Sequence, residues 1–157
     1  MFKQILVAFD STAASQKALD AAVELHRLHP DSSLIITHVS LDKSRRDSTM
    51  YEHSMNTQTD HQPAMEKEQF DTRQDENNKL NQALLSAKEV LDSRNIHAEF
   101  YPLTGSPAEA IVDYAIHKGA DLIIVGRTEK SSFQKRFLGS VSETIVEKAR
   151  CPVLVMR

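Results

Sequence analysis

Five short apolar runs, separated by segments with helical spacing, constrain what this chain can fold into more than any other feature of it. The runs are Gln4 to Phe9, Leu34 to Val39, Ala98 to Leu103, Leu122 to Val125 and Val153 to Met156. They are rich in β-branched residues, and most are nearly continuous in apolar residues. A strand covered on one face alternates apolar with polar side chains, so continuous runs of this kind predict strands covered on both faces. Four helical segments lie between them. The first runs from Ser11 or Thr12 to His29, with Ala14, Ala18, Ala21, Ala22, Leu25 and Leu28 on its apolar side. The second covers about Asp75 to Arg94, where Leu80, Leu84, Ala87 and Leu91 recur at helical spacing. The third has Ser106 as N-cap, Pro107 at the first helical position, Glu109 completing a capping box and Lys118-Gly119 at its end, with Ile111, Tyr114 and Ala115 facing inward. The fourth runs from Ser140 to about Ala149.

This strict alternation predicts an α/β domain: a parallel sheet with right-handed crossovers and helices on both faces. A length of 157 residues with 40% apolar composition suits one compact domain with a substantial core. No apolar run reaches membrane-spanning length, and the start MFKQILVAFD lacks the features of a secretory signal, so a cytoplasmic protein without a membrane partner is expected. The single Cys151 cannot form an internal disulfide and fits the same expectation. A net charge of -3 argues against a nucleic-acid partner, which requires a broad positive face.

Parallel sheets of this type bind ligands beyond the carboxyl ends of their strands, where the strand order reverses. Three distant pieces of sequence meet there: Asp10-Ser11 after the first strand, Val39-Ser40 after the second, and the loop GRTEKSSFQKRFLGSVS from Gly126 to Ser142 after the fourth. This last loop runs into a helix opened by Gly139-Ser140 and carries Arg127, Lys130, Lys135 and Arg136. Unpaired N–H groups and the helix dipole at such a terminus favour an anion, and the cations add to the attraction for phosphate. Ser140-Val-Ser-Glu143 also reads as a capping box that would start the helix with no ligand. Asp10 likewise reads either as a cap for the first helix or as a ligand contact. Neither a P-loop nor a G-x-G-x-x-G motif is present; AFDSTAAS stands after the first strand.

The segment LTGSPAEAIVDYAIHKGADLIIVGRTEKSSFQKRFLGSVSETIVEKARCPVLVMR, together with the start ILVAFDSTAASQKAL, resembles the universal stress protein family. The resemblance covers all but about residues 41 to 74 and rests on the combination of G-x-P-A-E-A-I, G-A-D-L-I-I-V-G-R, G-S-V-S and C-P-V-L-V-like segments. It implies a single three-layer α/β domain over residues 1–157, with a five-stranded parallel sheet of order 3-2-1-4-5 and helices on both faces. It also implies an adenine nucleotide, ATP or AMP with Mg²⁺ as a companion ion. Base and ribose contacts fall to Asp10, Ser11 and Val39, and phosphate contacts to Gly126, Arg127, Gly139, Ser140, Val141 and Ser142. Nucleotide-binding members carry G-x-x-G, nine residues, then G-[ST]; here Glu129 stands at the second glycine with the spacing kept. Glutamate adds a Cβ and a negative charge beside a polyphosphate. Two readings stay open: the side chain swings outward and leaves the pocket usable, or the chain keeps the fold without nucleotide and works only through partner proteins.

No catalytic constellation and no metal ligand set is read from the residues. His38 lies within a strand, and His26 and His29, one helical turn apart, have no partner carboxylate or cysteine identified, so a solvated helix face is expected. The polar stretch at about 41–74 reads as a loop insertion without sustained periodicity. The last strand, at 152–157, begins with Pro152 and leaves an apolar sheet edge, which predicts a homodimer paired through that strand. The family resemblance implies the same arrangement, for a stress-response protein acting as a sensor or regulatory dimer.

Overall fold

A computed structural model of the protein describes residues 2–40, 78, 82–127 and 139–157. The polar stretch at about 41–74 and the residues Glu129, Lys130, Lys135 and Arg136 lie outside these described residues. The elements follow in the order β1 (Gln4–Ala8), α1 (Ala13–Leu28), β2 (Ser33–Ser40), α2 (82–93), β3 (Ala98–Thr104), α3 (Pro107–Lys118), β4 (Leu122–Gly126), α4 (Ser140–Lys148) and β5 (Val153–Met156). All five strands form one sheet of order β3-β2-β1-β4-β5, and every pairing is parallel. The fold class and strand order expected from the sequence are those observed.

Strand alternation divides the core into two layers. Ile5, Val7 and Phe9 of the first strand segment, with Leu34, Ile36, Leu122 and Ile124, face α1 and α2. Leu6, Ile35, Ile123 and Val125 face α3 and α4. The central strands are therefore apolar at successive positions because both of their faces are covered. Each such fully buried aliphatic side chain contributes about 1.5–3 kcal/mol of transfer free energy. At the opposite end of the sheet from the ligand edge, the Asp121 carboxylate accepts from the N–H groups of Lys3 (2.7 Å) and Gln4 (3.1 Å), tying the start of β1 to the start of β4.

Helices α1 and α3 depart from the sequence reading. In α1 the buried residues are Ser15, Ala18, Leu19, Ala22 and Val23, an i, i+3, i+4 stripe, whereas Leu28 is 73% exposed. Leu28 occupies the last turn off that stripe, so the apolar side of α1 is rotated relative to the one first assigned. The predicted capping box at the start of α3 also differs. Ser106 is the N-cap residue and Pro107 opens the helix, but Ser106 makes no side-chain cap bond, and the Glu109 carboxylate accepts from Lys148 of α4 at 3.2 Å. That exposed ion pair is worth only about 0–1 kcal/mol. The helix end is as expected, with Gly119 in the left-handed conformation (φ 66°). Tyr114 is half-buried and packs at a tilt (48°) against Tyr101 of β3, with ring centroids 5.1 Å apart.

Candidate functional site

The neighbouring strands β1 and β4 send their chains in opposite directions along the sheet, β1 toward β2 and β4 toward β5. A crevice therefore opens beyond their carboxyl ends. Asp10 follows β1, Val39 lies at the end of β2, and Gly126 ends β4, so parallel pairing brings all three to one edge. α4 runs back between the parallel strands β4 and β5, which turns its N-terminus toward that same edge.

Asp10 is exposed and held in a defined pose. Its Oδ1 accepts from both the Thr12 N–H (3.1 Å) and the Thr12 hydroxyl (2.6 Å). Ser11 between them takes φ 63°, the left-handed region that lets the chain turn within two residues. Thr12, not Asp10, is the N-cap of α1: its Oγ1 accepts the Ser15 N–H at 3.2 Å. The cap position is thus taken by Thr12, and the Asp10 carboxylate stands as a separate, exposed group at the carboxyl end of β1. Partial loss of solvent works against its charge, but the hydrogen bonds from Thr12, with the Ser15 hydroxyl and His38 nearby, together hold its carboxyl below the usual carboxylate range. Asp10 is therefore ionised throughout the neutral range, an acceptor only.

His38 on β2 has its Nδ1 2.7 Å from the Phe9 carbonyl oxygen; a carbonyl only accepts, so that nitrogen carries the proton. Val39 is half-buried and packs against the α3 and α4 layer. Gly126 has a packing reason beyond any ligand. A Cβ built on it would stand 2.5 Å from both the Ala14 carbonyl carbon and the Ser15 nitrogen, so the first turn of α1 rests directly on this glycine. The following N–H, of Arg127, donates to the Met156 carbonyl at 2.7 Å and continues the β4–β5 edge.

At α4 the structure corrects the predicted capping box. Gly139 is the N-cap in extended conformation (φ -60°, ψ 152°), Ser140 is the first helical residue, and there is no side-chain cap bond. Because the helix starts one residue earlier than the Ser140-to-Glu143 box requires, Ser140 sits in the first turn rather than before it. The first backbone bond of the helix runs from the Glu143 N–H to the Gly139 carbonyl at 2.9 Å. The N–H groups of Ser140, Val141 and Ser142 precede it and have no acceptor among the described residues. Ser142 is fully buried, and its hydroxyl donates to the Gly139 carbonyl at 2.9 Å.

The topology thus brings a carboxylate acceptor and a helix terminus, whose first three N–H groups have no acceptor among the described residues, to one sheet edge, an arrangement able to hold a ligand with hydroxyl and anionic ends. Sequence reasoning missed Thr12 and Ser15. The Asp-x-Thr spacing is the signal that points to them, since Asp side chains bond to the backbone two residues on. Elsewhere, His26 Nδ1 lies 3.1 Å from the Ser32 hydroxyl, and His29 serves as the C-cap of α1. Among the described residues no group of three or more His, Cys, Asp or Glu is placed to hold a metal, and no helix is long and apolar enough to cross a membrane.

Comparison with known proteins agrees with this architecture. The universal stress protein family matches residues 1–157. The chain is 34% identical over 159 residues to universal stress protein YxiE of Bacillus subtilis (strain 168), covering 100% of both. It is similar to a universal stress protein solved in complex with cAMP, with a TM-score of 0.69, 23% identity, and coverage of 99% of this chain and 97% of that one. The universal stress protein from Archaeoglobus fulgidus in complex with dAMP has a TM-score of 0.67 at 21% identity, with coverage of 99% and 98%. At these identities the two structures speak for the shared fold. On the family match and the full-length relative, the chain belongs to the universal stress protein family.

Proposed function

We propose that this protein binds an adenine nucleotide, AMP or ATP, at the carboxyl edge of its sheet and acts in the stress response as a nucleotide-dependent sensor or regulatory dimer. In this reading residues 1–157 form one domain with a polar insertion at about 41–74, working in the cytoplasm. The observation that carries it is that the exposed Asp10 carboxylate lies at the same sheet edge as the N–H groups of Ser140, Val141 and Ser142, which have no acceptor among the described residues. Asp10 accepts a ribose hydroxyl, Ser11 and Val39 flank the base and sugar, and Gly126, Arg127, Gly139, Ser140, Val141 and Ser142 surround the phosphate. Proteins of the same fold bind cAMP and dAMP. Those two ligands share the adenine and a single phosphate on a furanose ring, which supports an adenine nucleotide as the ligand class of this edge. Mg²⁺ would accompany ATP and offset the charge of Glu129. Mass spectrometry of small molecules released by heat from the purified protein tests the reading: adenine nucleotide is the expected ligand, and its absence together with no uptake of added AMP overturns it.

Glu129 favours a second reading, an interaction module without nucleotide that works through protein partners. Its charge gives the two readings different outcomes. If it limits affinity, Glu129→Gly tightens ATP binding by about tenfold, equivalent to ~1.4 kcal/mol, as measured by calorimetry. Equal affinity in the two proteins shows that the side chain points away from the phosphates.

The dimer part of the proposal rests on the open edge of β5. Leu154 is 37% exposed there, while Val155 packs against the α3 and α4 layer. Leu154→Lys is therefore a cleaner probe than Val155→Lys, because it places charge on the edge strand without entering the core. Sedimentation is expected to show a wild-type dimer at micromolar concentration and a monomeric Leu154→Lys variant. A wild-type monomer at that concentration contradicts pairing through residues 152–157.

A further inference from the structure

We propose that Thr12 is a positioning residue that fixes the Asp10 carboxylate with Oδ2 presented to the ligand. Its effect on affinity rests on the nucleotide reading above; its effect on the carboxylate does not. The hydrogen bonds around Thr12 are directional. Its carbonyl accepts the Gln16 N–H at 2.9 Å, and its Oγ1 lies 3.3 Å from the Ser15 hydroxyl oxygen, a longer and weaker alternative for the one hydroxyl proton. Its hydroxyl donates to Asp10 Oδ1 at 2.6 Å, its N–H donates to the same oxygen at 3.1 Å, and its Oγ1 accepts the Ser15 N–H at 3.2 Å. The Ser15 hydroxyl donates to the Thr12 carbonyl at 3.0 Å and accepts the Asp10 N–H at 3.3 Å. Both Thr12 donors fall on Oδ1, and no hydrogen bond among the described residues falls on Oδ2.

An exposed aspartate normally exchanges rotamers in water, so a ligand that needs one pose must select it at an entropic cost. Here two donors on a single oxygen remove that freedom beforehand and orient the second oxygen. The holder is itself anchored. Ser15 is only 2% exposed, and the backbone of Ala14 and Ser15 stands against Gly126 at the end of β4. The first turn of α1 therefore sets the distance between the carboxylate and the strand that leads into the phosphate loop. A plain helix cap needs only the Oγ1 acceptor bond to Ser15; the short hydroxyl donation to Asp10 is the additional feature.

Two measurements on the full chain separate this role from simple capping. Thr12→Val keeps the β-branched shape and removes the hydroxyl, and Thr12→Ser restores it. NMR titration of the Asp10 side-chain carboxyl, without nucleotide, is expected to move up toward the ordinary carboxylate range in Thr12→Val and to stay at the wild-type position in Thr12→Ser. Calorimetry with AMP is expected to show about a tenfold loss of affinity in Thr12→Val and near wild-type affinity in Thr12→Ser. In an Asp10→Asn background, Thr12→Val should add less than about a twofold further loss, because its action runs through the carboxylate. An Asp10 titration unmoved by Thr12→Val, even with a lowered melting temperature, overturns the proposal. So does an AMP loss as large in Asp10→Asn as in wild type. Should the wild-type protein take up no AMP, the nucleotide reading fails and the titration alone decides the positioning role.

Discussion

Gly126→Val is expected to lower the stability of this protein by about 3 kcal/mol, the upper range for overpacking a closed contact, or roughly 6–12 °C in melting temperature. The added Cβ meets backbone rather than a flexible side-chain end: the Ala14 carbonyl carbon and the Ser15 nitrogen, each at 2.5 Å, and the Ala14 oxygen at 2.8 Å. Neither partner can yield alone, since Ser15 is bonded to Thr12 and Asp10 and β4 is paired on both sides. Gly126→Ala carries the same first clash and should lose most of this stability. Thermal and urea unfolding check the result; a Gly126→Ala protein as stable as wild type would show that α1 does not rest on β4 here.

Gly139→Val is expected to do the reverse, leaving the fold nearly intact while lowering adenine-nucleotide affinity by about a hundredfold, or ~2.7 kcal/mol. Its φ of -60° and ψ of 152° are open to any residue, so valine brings no backbone strain. Loss of a glycine cap costs about 1 kcal/mol at most. The branched side chain instead occupies the space just before the N–H groups of Ser140, Val141 and Ser142, where a phosphate must approach. Ser140→Ala removes one hydroxyl from an exposed first-turn residue and should cost about tenfold or less. Calorimetry beside thermal unfolding separates the two effects. Equal losses in Gly139→Val and Ser140→Ala would mean that the phosphate does not sit at this terminus.

The two glycines show where sequence reasoning succeeds and where it stops. The helix start at Gly139-Ser140 was legible from local order, although the cap falls on Gly139 rather than on Ser140. Gly126 was read only as a phosphate contact, while its packing role depends on α1, more than a hundred positions away, and no local pattern announces it. The strands were plain because continuous apolar runs leave few alternatives to a sheet covered on both faces. The apolar side of α1 was misplaced because alanines lie around much of that helix, so Leu25 and Leu28 pulled the assigned stripe away from Leu19 and Val23, which are fully buried. The capping boxes at Ser106 and Ser140 had the right residue types, yet Glu109 pairs with Lys148, and Gly139 starts its helix one position early. Such motifs are weak forces of about 1 kcal/mol, easily redirected by the packing of one helix on another.

The central claim, an adenine nucleotide at the carboxyl edge of the sheet, is tested most directly by calorimetric titration of the ligand-free wild-type protein with AMP, and with ATP and Mg²⁺. The account predicts saturable binding at micromolar strength that Gly139→Val weakens by about a hundredfold. Absence of binding up to millimolar nucleotide, by a wild-type protein that is folded in the same buffer, would contradict it.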